Sequence, residues 1–211
     1  MRFVVFFIIA AAAFSSLAWF RSGRSTEKKA PANNGYSAAA DAVKVSERLQ
    51  PFAVELKQYA VQHKYNSHYC FLVDMKIPCG SNRFFVYDLK KDAVLQSGLV
   101  THGYGNSSYS RVVFSNVPGS NSSSLGTYKI GMAYQGRFGL AYKLHGLDST
   151  NSNAYKRFVV LHAHGCVPDT TVAPGVICMS QGCPTVAPAF LRVLKSYLDN
   201  ADKPILLKII Y

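Results

Sequence analysis

Between Leu49 and His63 a mostly apolar set, Leu49, Phe52, Leu56, Tyr59, Ala60 and His63, recurs at three- and four-residue steps and forms one face of a helix. The helical texture spans residues 38–66. Pro51 falls inside it, lacks an amide proton and clashes with the preceding turn, so two helices are predicted, the second beginning near Pro51. Past Ser67 the period shortens to that of strands. "HYCFLVDM" and "RFFVYDL" are runs of aromatic and branched residues, and Lys90–Asp92 reads as a hairpin turn into "AVLQSGLV". The serine-, asparagine- and glycine-rich stretch 103–126 reads as long loops over a site. "TYKIGMAYQGRFGLAYKLHGL" returns to strand texture, its glycines marking bulges or close backbone approach.

"RFVVLH" alternates most cleanly: Phe158, Val160 and His162 share one face, Val159 and Leu161 the other. His162 is thus predicted to end a buried strand. After Cys183, one helical face collects Val186, Phe190, Val193, Leu194 and Tyr197. Pro188 fits only in a first turn, which predicts a helix start near Thr185. "KPILLKIIY" closes the chain as a strand. The predicted class is mostly β with few helices, a helical collar over 38–66 preceding one domain over 67–211.

Length and composition fit that plan. A chain of 211 residues with 49% hydrophobic content builds one compact domain plus an appendage and is not wholesale disordered. The net charge of +12 is spread along the chain, with no zinc-finger spacing, helix-turn-helix cue or stacking-aromatic signature, so no nucleic-acid partner is expected. A basic envelope protein that meets an acidic polymer or anionic lipid carries the same charge.

Residues 1–20 supply a compartment. Arg2, an apolar run, then Ser16 and Ala18 as small residues form the layout of a secretory signal peptide; retained, the segment is a membrane anchor and the chain's one membrane contact. Residues 21–37 read as a polar linker. Export permits disulfides, and five cysteines leave at least one unpaired. Cys70–Cys79 and Cys166–Cys178 are candidate pairs that leave Cys183 free, and other pairings stay open.

Cys183 is the best nucleophile candidate of the five. A helix starting just after it stabilises a thiolate, and Gly182 lets backbone amides approach a developing oxyanion. A nucleophilic cysteine needs a base. Of the six histidines, His63 and His68 lie in or near the collar and His145 sits between strands, all three read as structural or surface residues. His102 in "THGYG" is a candidate cleft residue, and His162 and His164 are nearest Cys183 in sequence.

"KLHGLDSTNSNAYKRFVVLHAH" followed by "SQGCP", with "FSNVPGSNSSSLGTYKI" and "YQGRFGLAYKLHGL" upstream and "LLKIIY" downstream, resembles the YkuD-related L,D-transpeptidase catalytic domain family of bacterial cell-wall enzymes over Tyr69–Tyr211. The resemblance implies an L,D-transpeptidase-like β-sandwich or barrel, with Cys183 as nucleophile, His162 as base, and Ser180 and Gly182 completing the motif. Aligning "RFVVLH" by its arginine and valines selects His162 over His164 and leaves Arg157, His164 and His102 as candidate cleft residues. It also implies acyl transfer on peptidoglycan stem peptides, by crosslinking or by carboxypeptidase trimming, with no metal or other cofactor, in the periplasm or cell envelope. The chain departs from the family pattern at Gln181, where Trp or His is expected, and at Ala163, where glycine is expected. A disulfide joining Cys166 and Cys178 is expected to staple the loop between base and nucleophile. Two alternatives stay open: a sortase-like transpeptidase using Arg192, and a non-catalytic peptidoglycan-binding envelope protein.

Overall fold

A computed structural model describes residues 35–211. The expected signal peptide or anchor, and nearly all of the 21–37 linker, lie outside the described residues. Helix α1 runs Gly35–Gln62, three residues into the predicted linker. Eight strands follow: β1 (Tyr69–Asp74), β2 (Phe84–Asp88), β3 (Ala93–Gly98), β4 (Gly126–Gly136), β5 (Gly139–Gly146), β6 (Val160–Ala163), β7 (Thr185–Val186) and β8 (Leu206–Ile210), with α2 (Pro188–Asp199) between the last two. They form one sheet in the order β3-β2-β1-β8-β4-β5-β6-β7. A bridge between Val100, just past β3, and Val186 of β7 brings the two edges together. The mostly β expectation therefore holds, and the sheet closes as a barrel.

Two-residue periodicity divides the core. On β1, Phe71 and Val73 face the larger cluster with Phe84, Val86, Leu207 and Ile209, while Cys70 and Leu72 face α1 with Phe85, Tyr87, Leu206 and Ile210. Side chains of both sets are buried, which is why these strands read as nearly unbroken apolar runs. The alternation also separates two cysteines expected as a candidate pair. Cys70 lies on the α1 side and Cys79 in the opposite cluster, and both are free and buried. The KKD turn forms as expected, with Asp88 Oδ1 accepting from the Lys90 and Lys91 amides at 2.8 and 3.0 Å.

The predicted break at Pro51 does not occur, since α1 is a single helix of 28 residues. Leu49, Ala53, Leu56 and Ala60 are buried against the sheet, while Pro51 is exposed. The lost hydrogen bond thus falls on the solvent side, where water can satisfy the orphaned carbonyl, and burial on both sides of it holds the helix together. Arg48 pairs with buried Asp74 of β1, and Lys208 of β8 pairs with Glu55 at 2.6 Å, pinning the helix further. Because Pro51 still carries its intrinsic penalty, Pro51→Ala should stabilise the protein by about 1–3 kcal/mol, the proline cost less the entropy returned to the unfolded chain. A higher urea midpoint at unchanged slope is the expected readout, and a lower midpoint would show that the ring packs usefully.

Candidate active site

Cys183 does not sit at a helix N-terminus. Thr185 and Val186, expected in the first helical turn, form strand β7, and α2 starts only at Pro188. The turn carrying the cysteine is held instead by hydroxyls. Ser180 Oγ accepts from the Gly182 amide at 3.1 Å and donates to the Cys183 carbonyl at 2.7 Å. Thr101 Oγ1 donates to the same carbonyl at 3.2 Å, and Ser123 Oγ donates to the Gly182 carbonyl at 3.2 Å. Gly182 takes φ +113°, and a Cβ there would lie 2.8 Å from the Ser122 carbonyl oxygen, so glycine is required by both conformation and space. Its amide is spent on Ser180, so the expected oxyanion role does not fall to Gly182.

The Cys183 sulfur is half-buried. It accepts from the Val160 amide at 3.5 Å and its thiol reaches the Phe158 carbonyl at 3.8 Å. Phe158, expected on the strand with core residues, precedes β6 with φ 56° and is 82% exposed. That left-handed turn aims its carbonyl at the sulfur. Burial pushes the thiol pKa up, opposed by the Val160 amide and the Arg157 guanidinium. A depressed thiol pKa was expected from a helix terminus, and with the terminus removed the direction reverses.

His162 lies at the end of β6, 6% exposed. Its Nδ1 is 3.1 Å from the Ala163 carbonyl, an acceptor only, so Nδ1 carries the proton and Nε2 bears the lone pair. Nε2 stands 3.0 Å from Thr185 Oγ1. Phe138, at the tip of the β4–β5 hairpin, stacks on the imidazole at 5.0 Å and 17°. Burial lowers the His162 pKa below its ordinary 6.5, with the Ala163 carbonyl acting against it and His164 adding to it.

One pocket of about 380 Å³ is lined by Cys183, His162, His164, Thr101, Arg137 and Phe138 among others. The Cys166–Cys178 disulfide, Cα–Cα 6.1 Å, forms part of its wall, and Cys183 is free. Exposed His164 accepts from the Cys166 amide at 3.1 Å. His102 is elsewhere: fully buried, it meets Arg83 Nη2 at 2.9 Å and does not line the pocket. Burial and then the Arg83 charge push its pKa to about 4, so it stays neutral. Arg157 lies behind the turn, donating to the Ser115 and Ser122 carbonyls at 2.8 and 2.6 Å and to Ser124 Oγ and Ser120 Oγ at 2.6 and 3.2 Å. Arg192 is exposed on α2 and outside the pocket, which removes the support for a sortase-like site.

Sequence reasoning missed Thr101, Thr185 and Phe138. Phe138 had a signal, an aromatic beside Arg137 between two glycines at a hairpin tip, but the threonines become visible only once the strands are paired. Among the described residues no three His, Cys, Asp or Glu side chains converge as metal ligands.

A family model described as the L,D-transpeptidase catalytic domain matches residues 43–204. No curated protein matches the chain. Among solved structures, the chain is similar to Bd1075 of Bdellovibrio bacteriovorus (14% identity, 70% of this chain and 49% of that one, TM-score 0.44). It is also similar to the helical cell shape determining protein Pgp2 of Campylobacter jejuni (11%, 67% and 46%, 0.41). A third is an L,D-transpeptidase from Mycobacterium smegmatis (12%, 68% and 59%, 0.39). The chain thus spans about half the length of these proteins.

The turn geometry makes a graded expectation. Gly182→Ala combines a left-handed backbone with a clash against backbone, while Gly119→Ala carries a similar φ of +78° with nothing within 4 Å. Gly119→Ala should cost about 1–2 kcal/mol. Gly182→Ala should cost more and also slow alkylation of Cys183. Equal denaturation midpoints for the two variants would show that the Ser122 carbonyl yields freely.

Proposed function

The chain belongs to the L,D-transpeptidase catalytic domain family, and we propose that it performs cysteine-dependent acyl transfer on peptidoglycan stem peptides outside the cytoplasm, with Cys183 as nucleophile and His162 as base. The observation that carries this reading is the pocket that Cys183 and a neutral, correctly tautomeric His162 line together. The Cys166–Cys178 disulfide supports an oxidising compartment.

With the thiol raised and the histidine lowered, the resting pair is neutral thiol and neutral imidazole. His162 Nε2 takes the Cys183 proton as the sulfur attacks, which requires the Thr185 hydroxyl to turn away from Nε2. Sulfur adds to the carbonyl of the L-centre of the diamino acid in a tetrapeptide stem. Among the described residues the Cys183 amide has no protein acceptor, which leaves it free to donate to the new oxyanion. Collapse of the tetrahedral intermediate breaks the C–N bond, and D-alanine leaves with the proton held by His162. An amine from a second stem then resolves the thioester to give a crosslink, or water resolves it to give trimming.

A non-catalytic murein-binding role draws on the occupied Nε2 and the raised thiol pKa. The two readings part on product. Mass spectrometry of muropeptides incubated with the protein should show D-alanine loss and either a crosslinked or a tripeptide product. Cys183→Ala should abolish both while folding normally, and processing by folded Cys183→Ala would refute the mechanism.

His162→Ala should cost about 10²–10⁴-fold in rate, and His164→Ala far less. The acid limb of kcat/KM should rise with pH through a pKa below 6.5, because the base acts only when deprotonated and burial depresses its pKa. An acid limb above that value would assign the titration to another group.

A further inference from the structure

A cavity of about 640 Å³ lies apart from the cysteine. It lies between the β4–β5 hairpin, the loop after β5, and the turn joining α2 to β8, and shares no lining residue with the Cys183 pocket. The pairing of β4 with β5 shifts register between Ile130 and Ala133, and a Cβ on Gly131 would stand 2.8 Å from His145 Nε2. The hollow is therefore built around a bulge, a feature that often re-aims side chains at sites.

Its chemistry is cationic and aromatic. Lys129, Lys143 and Lys203 line it, and among the described residues no carboxylate lies within ion-pair reach of them. Of the two aspartates on the rim, Asp199 is engaged by Lys195, leaving Asp202 against three ammonium groups. Lys143 sits over the rings of Tyr134 and Tyr155 at 5.6 and 5.4 Å, and His145 stacks on Tyr155 at 4.9 Å. Ring faces position the lysine without consuming its N–H donors. Burial and then Lys129 and Lys143 lower the His145 pKa, which registers the positive field. Tyr142, 3% exposed, lines the same cavity and its hydroxyl has no hydrogen-bond partner. Uncommitted ammonium groups held against ring faces and room for a peptide together call for an elongated ligand with several carboxylates.

Resting on the function proposed above, we propose that this cleft is a second binding site for a murein stem peptide, held through its carboxylates. The β4–β5 hairpin supplies Tyr134 and Lys143 to the cleft and Arg137 and Phe138 to the Cys183 pocket, so one hairpin borders both sites. Murein carries many stems on one polymer. Anchoring one stem in the cleft raises the effective concentration of its neighbours at Cys183 without adding contacts there.

The test is an NMR titration of the full-length Cys183→Ala protein with a soluble murein tetrapeptide. Two peptides should bind per chain, one shifting His145 and Tyr155 and the other His162 and Phe138. Adding Lys129→Gln and Lys143→Gln should raise the peptide concentration needed at the first set at least ten-fold and leave the second unchanged. Should that variant not fold, Lys203→Gln, on an exposed turn, should weaken the first set alone. Silence of His145 and Tyr155 at saturating peptide, or indifference of a folded variant, overturns the cleft assignment while leaving the catalytic reading intact. A response at His145 with none at His162 supports the cleft and counts against the catalytic reading. Equal shifts of His145 with inorganic phosphate at the same concentration would overturn the stem-peptide assignment in favour of a phosphate ligand.

Discussion

The Cys183 pocket depends on closure of the sheet along the Thr101–Thr185 seam. The Thr101 amide donates to the Thr185 carbonyl at 2.9 Å, and the Thr185 amide returns to Thr101 Oγ1 at 3.2 Å. On its other side Thr185 pairs in register with His162 and sets Oγ1 against that imidazole. One residue thus ties the first half of the sheet to His162, while Thr101 ties it to the carbonyl of Cys183. Each bond nets only about 0.5–1.5 kcal/mol, but leaving a buried donor or acceptor here unpaired costs about 1–3 kcal/mol, so the seam closes as a unit. Support continues inward, where buried Arg83 donates to the Val100 carbonyl at 2.9 Å and to His102, whose carbonyl receives the Ser180 amide at 2.8 Å.

The second constraint is Arg157. Its guanidinium donates to four oxygens of the 115–124 loop, two of them carbonyls and two of them hydroxyls. That loop in turn presses on Gly182 through the Ser122 carbonyl and on its carbonyl through Ser123. A serine-rich stretch is held by this cation together with Asn116, which bonds Ser149, Ser152 and Asn153. The planar guanidinium fork reaches four acceptors at once where a lysine has only three donors. The turn bearing Cys183 is therefore fixed from both flanks, by threonine hydroxyls on one and by the Arg157-held loop on the other.

Where both faces of a strand are buried, the sequence was easy to read: β1, β2 and β8 follow directly from their apolar runs, and the strand texture of β4 and β5 was legible together with the bulge that their glycines mark. The motif residues Cys183 and His162 were also visible, and the structure brings them to one pocket. What could not be read was set by tertiary context. Helical periodicity through Val186 disguised a two-residue strand that exists only because Val100 and Ala163 flank it. Pro51 reads as a break until the burial of Leu49 and Ala53 is known. Phe158 continues an alternating pattern that the backbone abandons, and the sulfur gains an acceptor from that departure.

Burial of the thiol has a consequence for the disulfide beside it. Cys166, Cys178 and Cys183 border the same pocket, and a thiolate facing a disulfide is the reactant pair for exchange. The rate of that side reaction scales with the thiolate fraction, which burial holds down at Cys183. A helix N-terminus behind the cysteine would have raised that fraction at all times, substrate present or not. Placing α2 five residues further on, with the proton drawn off by His162 in the proposed mechanism, would confine the reactive sulfur to the moment when an acyl donor occupies the pocket. The raised thiol pKa that looks unfavourable for a nucleophile is thus compatible with catalysis in a compartment that keeps Cys166–Cys178 oxidised.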